Sequence, residues 1–188
     1  MPVIKVIPED VDSKLNEVFT RYGYDGASME LLSQATGLKK ASLYHRFPGG
    51  KKDMAAHVLK KTESWFAEYV GKVLRDQDRE LKTRLSDAIH AISDLFEDGN
   101  RNCSLRMLSA CSESAYFQDT IANCFKILQD GFSFIAKENG LTDSEAEAQS
   151  IQAIINIQGS LVLSRAMGNN QIFKSSIASI PQLLGIQE

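Results

Sequence analysis

Cysteine, tryptophan and proline are scarce in this chain of 188 residues, which contains three, one and four of them respectively. The cysteines (Cys103, Cys111 and Cys124) are odd in number and lack the spacing of a disulfide framework or a zinc site. This disfavours a disulfide-rich secreted protein, and we expect a reducing compartment, the cytoplasm. Charged residues follow the start of the chain too soon for a secretory signal.

Long hydrophobic runs are also missing. The longest uncharged stretch, residues 148–164, is interrupted by Gln149, Gln152, Asn156 and Gln158. A membrane-spanning helix needs about 20 mostly apolar residues, so we expect this stretch to be a buried helix of a soluble protein. Hydrophobic residues make up 43% of the chain and charged residues 24%, which is typical of a folded globular protein rather than a disordered one.

Catalytic and metal-binding motifs are absent from the sequence. The three histidines (His45, His57 and His90) are scattered, and there is no HExxH, nucleophile elbow, phosphate loop or CxxC. We therefore predict a protein that is not an enzyme and that has neither a metal site nor a cofactor.

The alternation typical of β-strands is absent as well, whereas apolar spacings of three and four recur throughout. The pattern predicts an all-α fold of about nine helices. Their expected ranges are about 10–22, 29–36, 39–46, 51–73, 79–97, 104–111, 115–137, 143–167, and a ninth that includes Ile172 and ends before Pro181.

Local residue choices support several of these boundaries. Ser28 is a good N-cap for the second helix, and Gly37 is a good stop. Thr142 and Glu145 have the spacing of a capping box at the start of the eighth helix. The turn residues 48–50 suggest a junction, which divides the chain into an N-terminal domain of residues 1–52 and a helical domain of residues 53–188.

The charge distribution singles out one segment. The net charge is −3, yet residues 39–52 contain five Lys and Arg residues and no acid. A local basic patch on an acidic protein suits a small, defined contact with a polyanion. A solvated helix face is the alternative explanation, since charge runs are common on exposed helices.

The second and third predicted helices have the properties of a helix-turn-helix. Gly37 permits the tight turn, and apolar residues can lock the two helices together: Leu31, Leu32, Ala35, Leu38, Leu43 and Phe47. The second of the two helices would direct polar side chains towards the major groove, namely Lys39, Lys40, Ser42, Tyr44 and His45.

Residues 28–47, followed by Gly50 and Lys51, resemble the DNA-binding domain of the tetracycline-repressor (TetR) family. The shared features are the hydroxyl residue that opens the second helix, the turn glycine, the Leu43-Tyr44 pair with Phe47, and the lysine that opens the fourth helix. The resemblance implies a three-helix, homeodomain-like domain that binds double-stranded DNA. It implies phosphate contacts by Ser28, Tyr44 and Lys51, and Lys39, Lys40, Ser42 and His45 are then the candidates for base contacts.

The same resemblance implies a C-terminal helical bundle that forms a homodimer and encloses an effector pocket. The eighth helix is apolar on more than one side, which independently favours dimerisation through residues 143–167 and 170–185. Candidate contacts for a mostly hydrophobic effector are Trp65, Tyr69, Phe96, Met107, Cys111, Tyr116, Phe125 and Asn156. A plain role in the core explains any one of them equally well.

Cys103 is a candidate thiol sensor, because it lies at a helix start with Arg101 and Arg106 close in sequence. An inert, partly buried cysteine is the alternative. Taken together, the sequence predicts a dimeric DNA-binding transcription regulator, a repressor released from a palindromic operator by its effector. The alternative is a helical ligand- or protein-binding module without operator-specific DNA binding, which would not explain the basic segment 39–52.

Overall fold

Helices account for all regular secondary structure between residues 8 and 186, the part of the chain that the computed structural model describes. The prediction of an all-α fold is confirmed, and a tenth helix of four residues follows the nine predicted ones. The α-helices are α1 (Pro8–Gly26), α2 (Met29–Thr36), α3 (Lys40–Arg46), α4 (Lys51–Phe66), α5 (Leu81–Leu95), α6 (Ser104–Ser109), α7 (Ser114–Glu138), α8 (Asp143–Met167), α9 (Gln171–Ala178) and α10 (Ile180–Leu183).

The end of α1 and both ends of α2 lie where the sequence predicts them. Ser28 Oγ accepts a hydrogen bond from the backbone N of Leu31 at 3.2 Å, which caps α2. Gly37, with φ of +68°, ends the same helix in the left-handed conformation. Gly23, with φ of +69°, interrupts α1, so the regular part of that helix stops at the predicted residue.

Helix α8 begins with the predicted capping box. Thr142 Oγ1 accepts from the backbone N of Glu145 at 3.3 Å, and Glu145 Oε2 accepts from the backbone N of Thr142 at 2.9 Å. The hydroxyl and backbone N–H of Thr142 hold the pKa of Glu145 below its ordinary value, because both favour the charged carboxylate. Helix α9 ends at Ala178, before Pro181 as predicted. Pro181 lies in the first turn of α10, where its missing N–H costs nothing.

The fourth predicted helix is realised as two segments. Helix α4 passes directly into a π-helical segment, Ala67–Lys72, in which Val70 and Gly71 are buried. A second irregular segment, the 3₁₀ turn Glu97–Gly99, follows α5. Hydrophobic spacing does not distinguish these wider and tighter turns from an α-helix, because the buried positions recur at nearly the same interval.

The chain divides into two compact units. The first contains the residues up to Lys61 together with Ser104–Ile121, and the second contains Thr62–Cys103 and the residues from Ala122 onward. The predicted boundary between residues 52 and 53 falls at the start of α4, whereas this division falls later in the same helix.

In the first unit, α1 packs against α2 and α6 around fully buried side chains that include Leu15, Phe19, Leu32, Leu43 and Met54. In the second unit, α8 and α9 pack together, and the buried side chains include Phe66, Leu74, Phe132 and Phe173. Among the described helices, none has both the length and the apolar character needed to cross a bilayer.

Candidate nucleic-acid interface

Two hydroxyl side chains brace the turn between α2 and α3. Ser33 Oγ donates to the carbonyl oxygen of Leu38 at 2.6 Å, and Thr36 Oγ1 donates to the carbonyl oxygen of Leu32 at 2.7 Å. A Cβ at Gly37 would meet no neighbouring atom within 4 Å, so the glycine is required by its left-handed backbone and not by crowding. Helices α2 and α3 therefore form the predicted helix-turn-helix.

Helix α3 has one buried and one exposed side. Leu43 is completely buried, and Phe47, directly after the helix, is 6% exposed. The side chains predicted to face DNA all lie on the exposed side: Lys39, Lys40, Ser42, Tyr44 and His45. A helix held in this way by its apolar side can enter the major groove with its polar side.

The three residues predicted to contact phosphates also have contacts within the first unit. Ser28 caps α2, and the ring of Tyr44 lies so close to Gly50 that a Cβ there would be 3.0 Å from Tyr44 Cε1. Lys51 Nζ donates to the carbonyl oxygen of Tyr24 at 2.8 Å and lies 4.2 Å from the centre of its ring. Tyr44 remains 49% exposed. These contacts fix where the side chains lie, and their contacts with DNA stay a prediction.

The segment that lacks acids in sequence has acids beside it in space. Lys40 Nζ lies 2.6 Å from Glu30 Oε2 on α2, and Lys52 Nζ lies 2.7 Å from Glu113 Oε2. Lys40 accordingly lowers the pKa of Glu30, and Glu113 raises the pKa of Lys52. Among the described residues, Lys39 has no such carboxylate partner. The positive charge offered to DNA is thus smaller than the sequence suggests.

Asp12 is a residue of this region that sequence reasoning missed. Its Oδ1 lies 2.9 Å from His57 Nε2 and 3.3 Å from Arg46 Nη2, and its Oδ2 lies 3.5 Å from Lys61 Nζ. One carboxylate therefore joins α1 to the end of α3 and to α4. His57 and Lys61 lie one helical turn apart on α4 and so share one side of that helix. This spacing indicates a common partner such as Asp12 only once α4 is known to face α1.

The predicted effector residues are divided between the two units. Met107, Cys111 and Tyr116 belong to the first unit. Met107 Cε would lie 3.3 Å from a Cβ at Gly23, and Tyr116 is 55% exposed. These positions leave their role in ligand binding a prediction.

The other five effector candidates, and Cys103, belong to the second unit. Trp65 and Tyr69 stack with ring centres 5.3 Å apart. Phe96 is only 3% exposed and packs edge-on against Phe173, as the core interpretation expects. The side chains of Phe125 and Asn156 are half-buried, and the thiol of Cys103 is buried.

Comparison with known proteins agrees with this geometry. Residues 15–58, which include α2 and α3, match the family model described as "Bacterial regulatory proteins, tetR family". The chain is 25% identical over 162 residues to the uncharacterized HTH-type transcriptional regulator YxaF of Bacillus subtilis, covering 79% of this chain and 80% of that protein. The match to the TetR family model thus covers the helix-turn-helix, and the similarity to this relative extends over most of the chain. The chain is also 20% identical to the HTH-type transcriptional regulator LmrA of the same organism, covering 94% of this chain and 95% of that one.

Solved structures give the same fold over the full length. The crystal structure of a TetR transcriptional regulator from Legionella pneumophila superposes with a TM-score of 0.82 and 19% identity, covering 100% of this chain and 99% of that one. TetR-family regulators bind DNA operators and form dimers. The present protein is accordingly a DNA-binding transcriptional regulator.

Proposed function

We propose that α3 reads an operator sequence in the major groove, with base contacts from Lys39, Lys40, Ser42 and His45, and phosphate contacts from Ser28, Tyr44 and Lys51. The observation that carries this proposal is the division of α3 into a side fixed by Leu43 and an exposed polar side. Base contacts specify sequence, whereas phosphate contacts set position and orientation. Replacing a base-contacting residue should therefore reduce sequence discrimination, whereas replacing a phosphate-contacting residue should weaken binding to all DNA sequences.

His45→Ala tests the assignment on an operator recovered from random duplex DNA. Loss of a base contact is expected to weaken operator binding about ten-fold and to relax discrimination at one base pair of each half-site. Binding to unrelated DNA should stay unchanged. Lys126→Ala, which removes an exposed lysine of α7, is the control. An equal loss on every DNA sequence would show that His45 does not read bases.

The proposed subunit interface consists of α8, residues 143–167, and the segment of residues 170–185, which includes α9 and α10. One side of α8 packs within its own unit through Ala153, Ile157 and Leu161, yet the helix also exposes Ile151, Ile155, Val162, Leu163 and Met167. A Cβ at Gly159 would meet nothing within 4 Å, so this glycine leaves room for a close neighbour. An apolar surface of this kind supports burial against a second copy.

Ile155→Asp should therefore convert the dimer into monomers, because it would bury unpaired carboxylates at the interface. Sedimentation equilibrium measures this directly, and Ile155→Leu, which keeps an apolar side chain, should stay dimeric. The monomer should also bind a palindromic operator more weakly, since a dimer places two α3 helices about 34–36 Å apart, one turn of DNA. A dimer that survives Ile155→Asp would place the interface elsewhere.

We further propose that the bound dimer represses transcription in the cytoplasm, and that a small, mostly hydrophobic effector releases it. The candidate contacts remain Trp65, Tyr69, Phe96, Met107, Cys111, Tyr116, Phe125 and Asn156. An effector can shift the equilibrium only if it binds the released state more tightly than the DNA-bound state. The test is a screen of apolar compounds for those that weaken operator binding. Tight binders that leave operator affinity unchanged would contradict the proposal.

A further inference from the structure

The carboxylate of Asp12 is the common partner of three basic side chains within the first unit. Asp12 lies on α1, and its side chain is only 18% exposed. Its oxygens lie 2.9 Å from His57 Nε2, 3.3 Å from Arg46 Nη2 and 3.5 Å from Lys61 Nζ. His57 and Lys61 belong to α4, whereas Arg46 is the last residue of α3. Hydrogen bonds to a charged group are about twice as strong as neutral ones, so these partners hold the carboxylate in one place.

The residue that directly follows α3, Phe47, is part of the same set of contacts. Its ring is 6% exposed and packs edge-on against the ring of His57, with ring centres 5.3 Å apart. The guanidinium of Arg46 lies 5.4 Å from the centre of the Phe47 ring. The carboxylate, the guanidinium and the two rings thus form a closed set of contacts that joins the end of α3 to α1 and α4.

The other end of α3 lacks a comparable side-chain restraint. Lys39 occupies the N-cap position, and its side chain makes no capping hydrogen bond. Within the seven residues of the helix, Leu43 is the buried one. Short helices depend on packing and on contacts with their surroundings rather than on their own stability. The contacts of Arg46 therefore have a large share in fixing the direction in which the exposed side of α3 points.

We infer that Asp12 is a positioning residue for operator recognition, because it holds Arg46 and with it the orientation of α3 in the major groove. A recognition site works only when supporting residues hold its side chains to within about 0.5 Å, so an acid that contacts no base can contribute to sequence discrimination. Asp12 also compensates the charge of Arg46, which would otherwise pair with a phosphate of any DNA sequence. The inference rests on the proposed function, since it requires that α3 contacts bases.

Asp12→Asn tests the inference on the full-length protein, with the operator recovered from random duplex DNA and an unrelated duplex. The substitution keeps the size of the side chain and removes its charge. Affinity for the operator should fall about ten-fold, because α3 loses a charged hydrogen-bond partner. Affinity for the unrelated duplex should not fall, because Arg46 is then free to pair with any phosphate. Asp10→Asn removes the same charge at an exposed position of α1 and should leave the ratio of the two affinities unchanged.

A double-mutant cycle with Arg46→Gln separates positioning from general stability. Arg46→Gln alone should also lower the ratio of operator affinity to unrelated-DNA affinity about ten-fold. Because it leaves the contacts of Asp12 with His57 and Lys61, the link between α1 and α4 stays intact. The double variant should lower the ratio about ten-fold as well, and not about 100-fold, because both changes remove the same contact. Urea denaturation shows that each variant is folded under the conditions of the binding assay.

Three results would overturn the inference. They are an unchanged affinity ratio in folded Asp12→Asn, an unchanged ratio in Arg46→Gln, and a double variant in which the two losses multiply, which would mean that Asp12 acts through another side chain. If Asp12→Asn does not fold, the exposed position of Arg46 still allows Arg46→Gln to decide. A wild-type protein without sequence preference refutes the proposed function itself, whereas a wild-type protein and a folded Asp12→Asn that discriminate equally well refute the role of Asp12 alone.

Discussion

Lys39 and Lys40 are neighbours in sequence, but only Lys40 has a carboxylate beside it, that of Glu30. We expect Lys39→Ala to weaken operator binding more than Lys40→Ala, because Lys40 must give up the carboxylate of Glu30 before it can contact a base. Loss of either base contact should also relax discrimination at one base pair of each half-site. Titration of the operator and of its single-base variants with each protein measures both effects.

Glu30→Gln provides the complementary experiment. It keeps the shape of the side chain but removes the charge that holds Lys40, so DNA affinity and salt dependence should both increase. The electrophoretic mobility of the complex, measured over a salt series, gives both quantities. If Lys40→Ala costs as much as Lys39→Ala, or Glu30→Gln changes nothing, the ion pair does not limit the available charge.

Gly37 and Gly50 share a left-handed backbone but have different surroundings. Either substitution by alanine should cost about 1 kcal/mol of unfolding free energy for the backbone alone. Gly50→Ala should cost more, because its Cβ would press on the ring of Tyr44 at 3.0 Å, whereas Gly37 has open space. Urea denaturation compares the two variants. Equal losses would show that the ring of Tyr44 moves away without cost.

At the scale of the helices, Arg84 connects three parts of the second unit. The side chain on α5 is 1% exposed, Nη1 donates to the carbonyl oxygen of Leu74 at 2.9 Å, and Nη2 lies 2.5 Å from Glu138 Oε1 at the end of α7. Its Nε has no hydrogen-bond partner among the described residues. A buried cation of this kind must keep its partners, because breaking the pair leaves polar groups without compensation.

Arg84→Met should lower the free energy of unfolding by about 2–3 kcal/mol. This loss is somewhat smaller than the loss from breaking a fully buried ion pair, because the Glu138 side chain is 33% exposed. Urea denaturation measures the loss. Arg79→Met removes the same side chain from an exposed pair with Asp87 and should leave the midpoint nearly unchanged. Similar midpoints for the two variants would mean that Arg84 contributes no more than a surface residue.

The helices could be predicted from the sequence because their signals are local. Ser28, Gly37, Thr142 and Glu145 each act within four residues of the helix end that they determine, so spacing alone identifies them. Pro181 correctly indicates that α9 ends before it, but it does not reveal the short helix α10, since proline is compatible with both the end of one helix and the first turn of the next.

The surroundings of the site could not be predicted in the same way. The partners of Lys40 and Lys52 lie on other elements, and Asp12 gathers residues from α3 and α4. Such contacts follow from packing between elements, and no single stretch of sequence encodes them.

At the scale of the whole molecule, a chain of net charge −3 binds a polyanion. The polar side chains proposed to contact bases are confined to one short helix, α3. Acidic side chains lie beside several of the cations in and next to it. Non-specific affinity should therefore be low, and most of the binding free energy should come from contacts that require the right sequence and two subunits.

Selection of bound sequences from random duplex DNA by the purified wild-type protein, with salt titrated, tests this account most directly. We expect a short inverted repeat with half-sites about one helical turn apart, bound by two chains, with affinity that falls as salt rises. Recovery of no preferred sequence at low salt would contradict operator recognition by α3. It would favour a helical ligand- or protein-binding module instead.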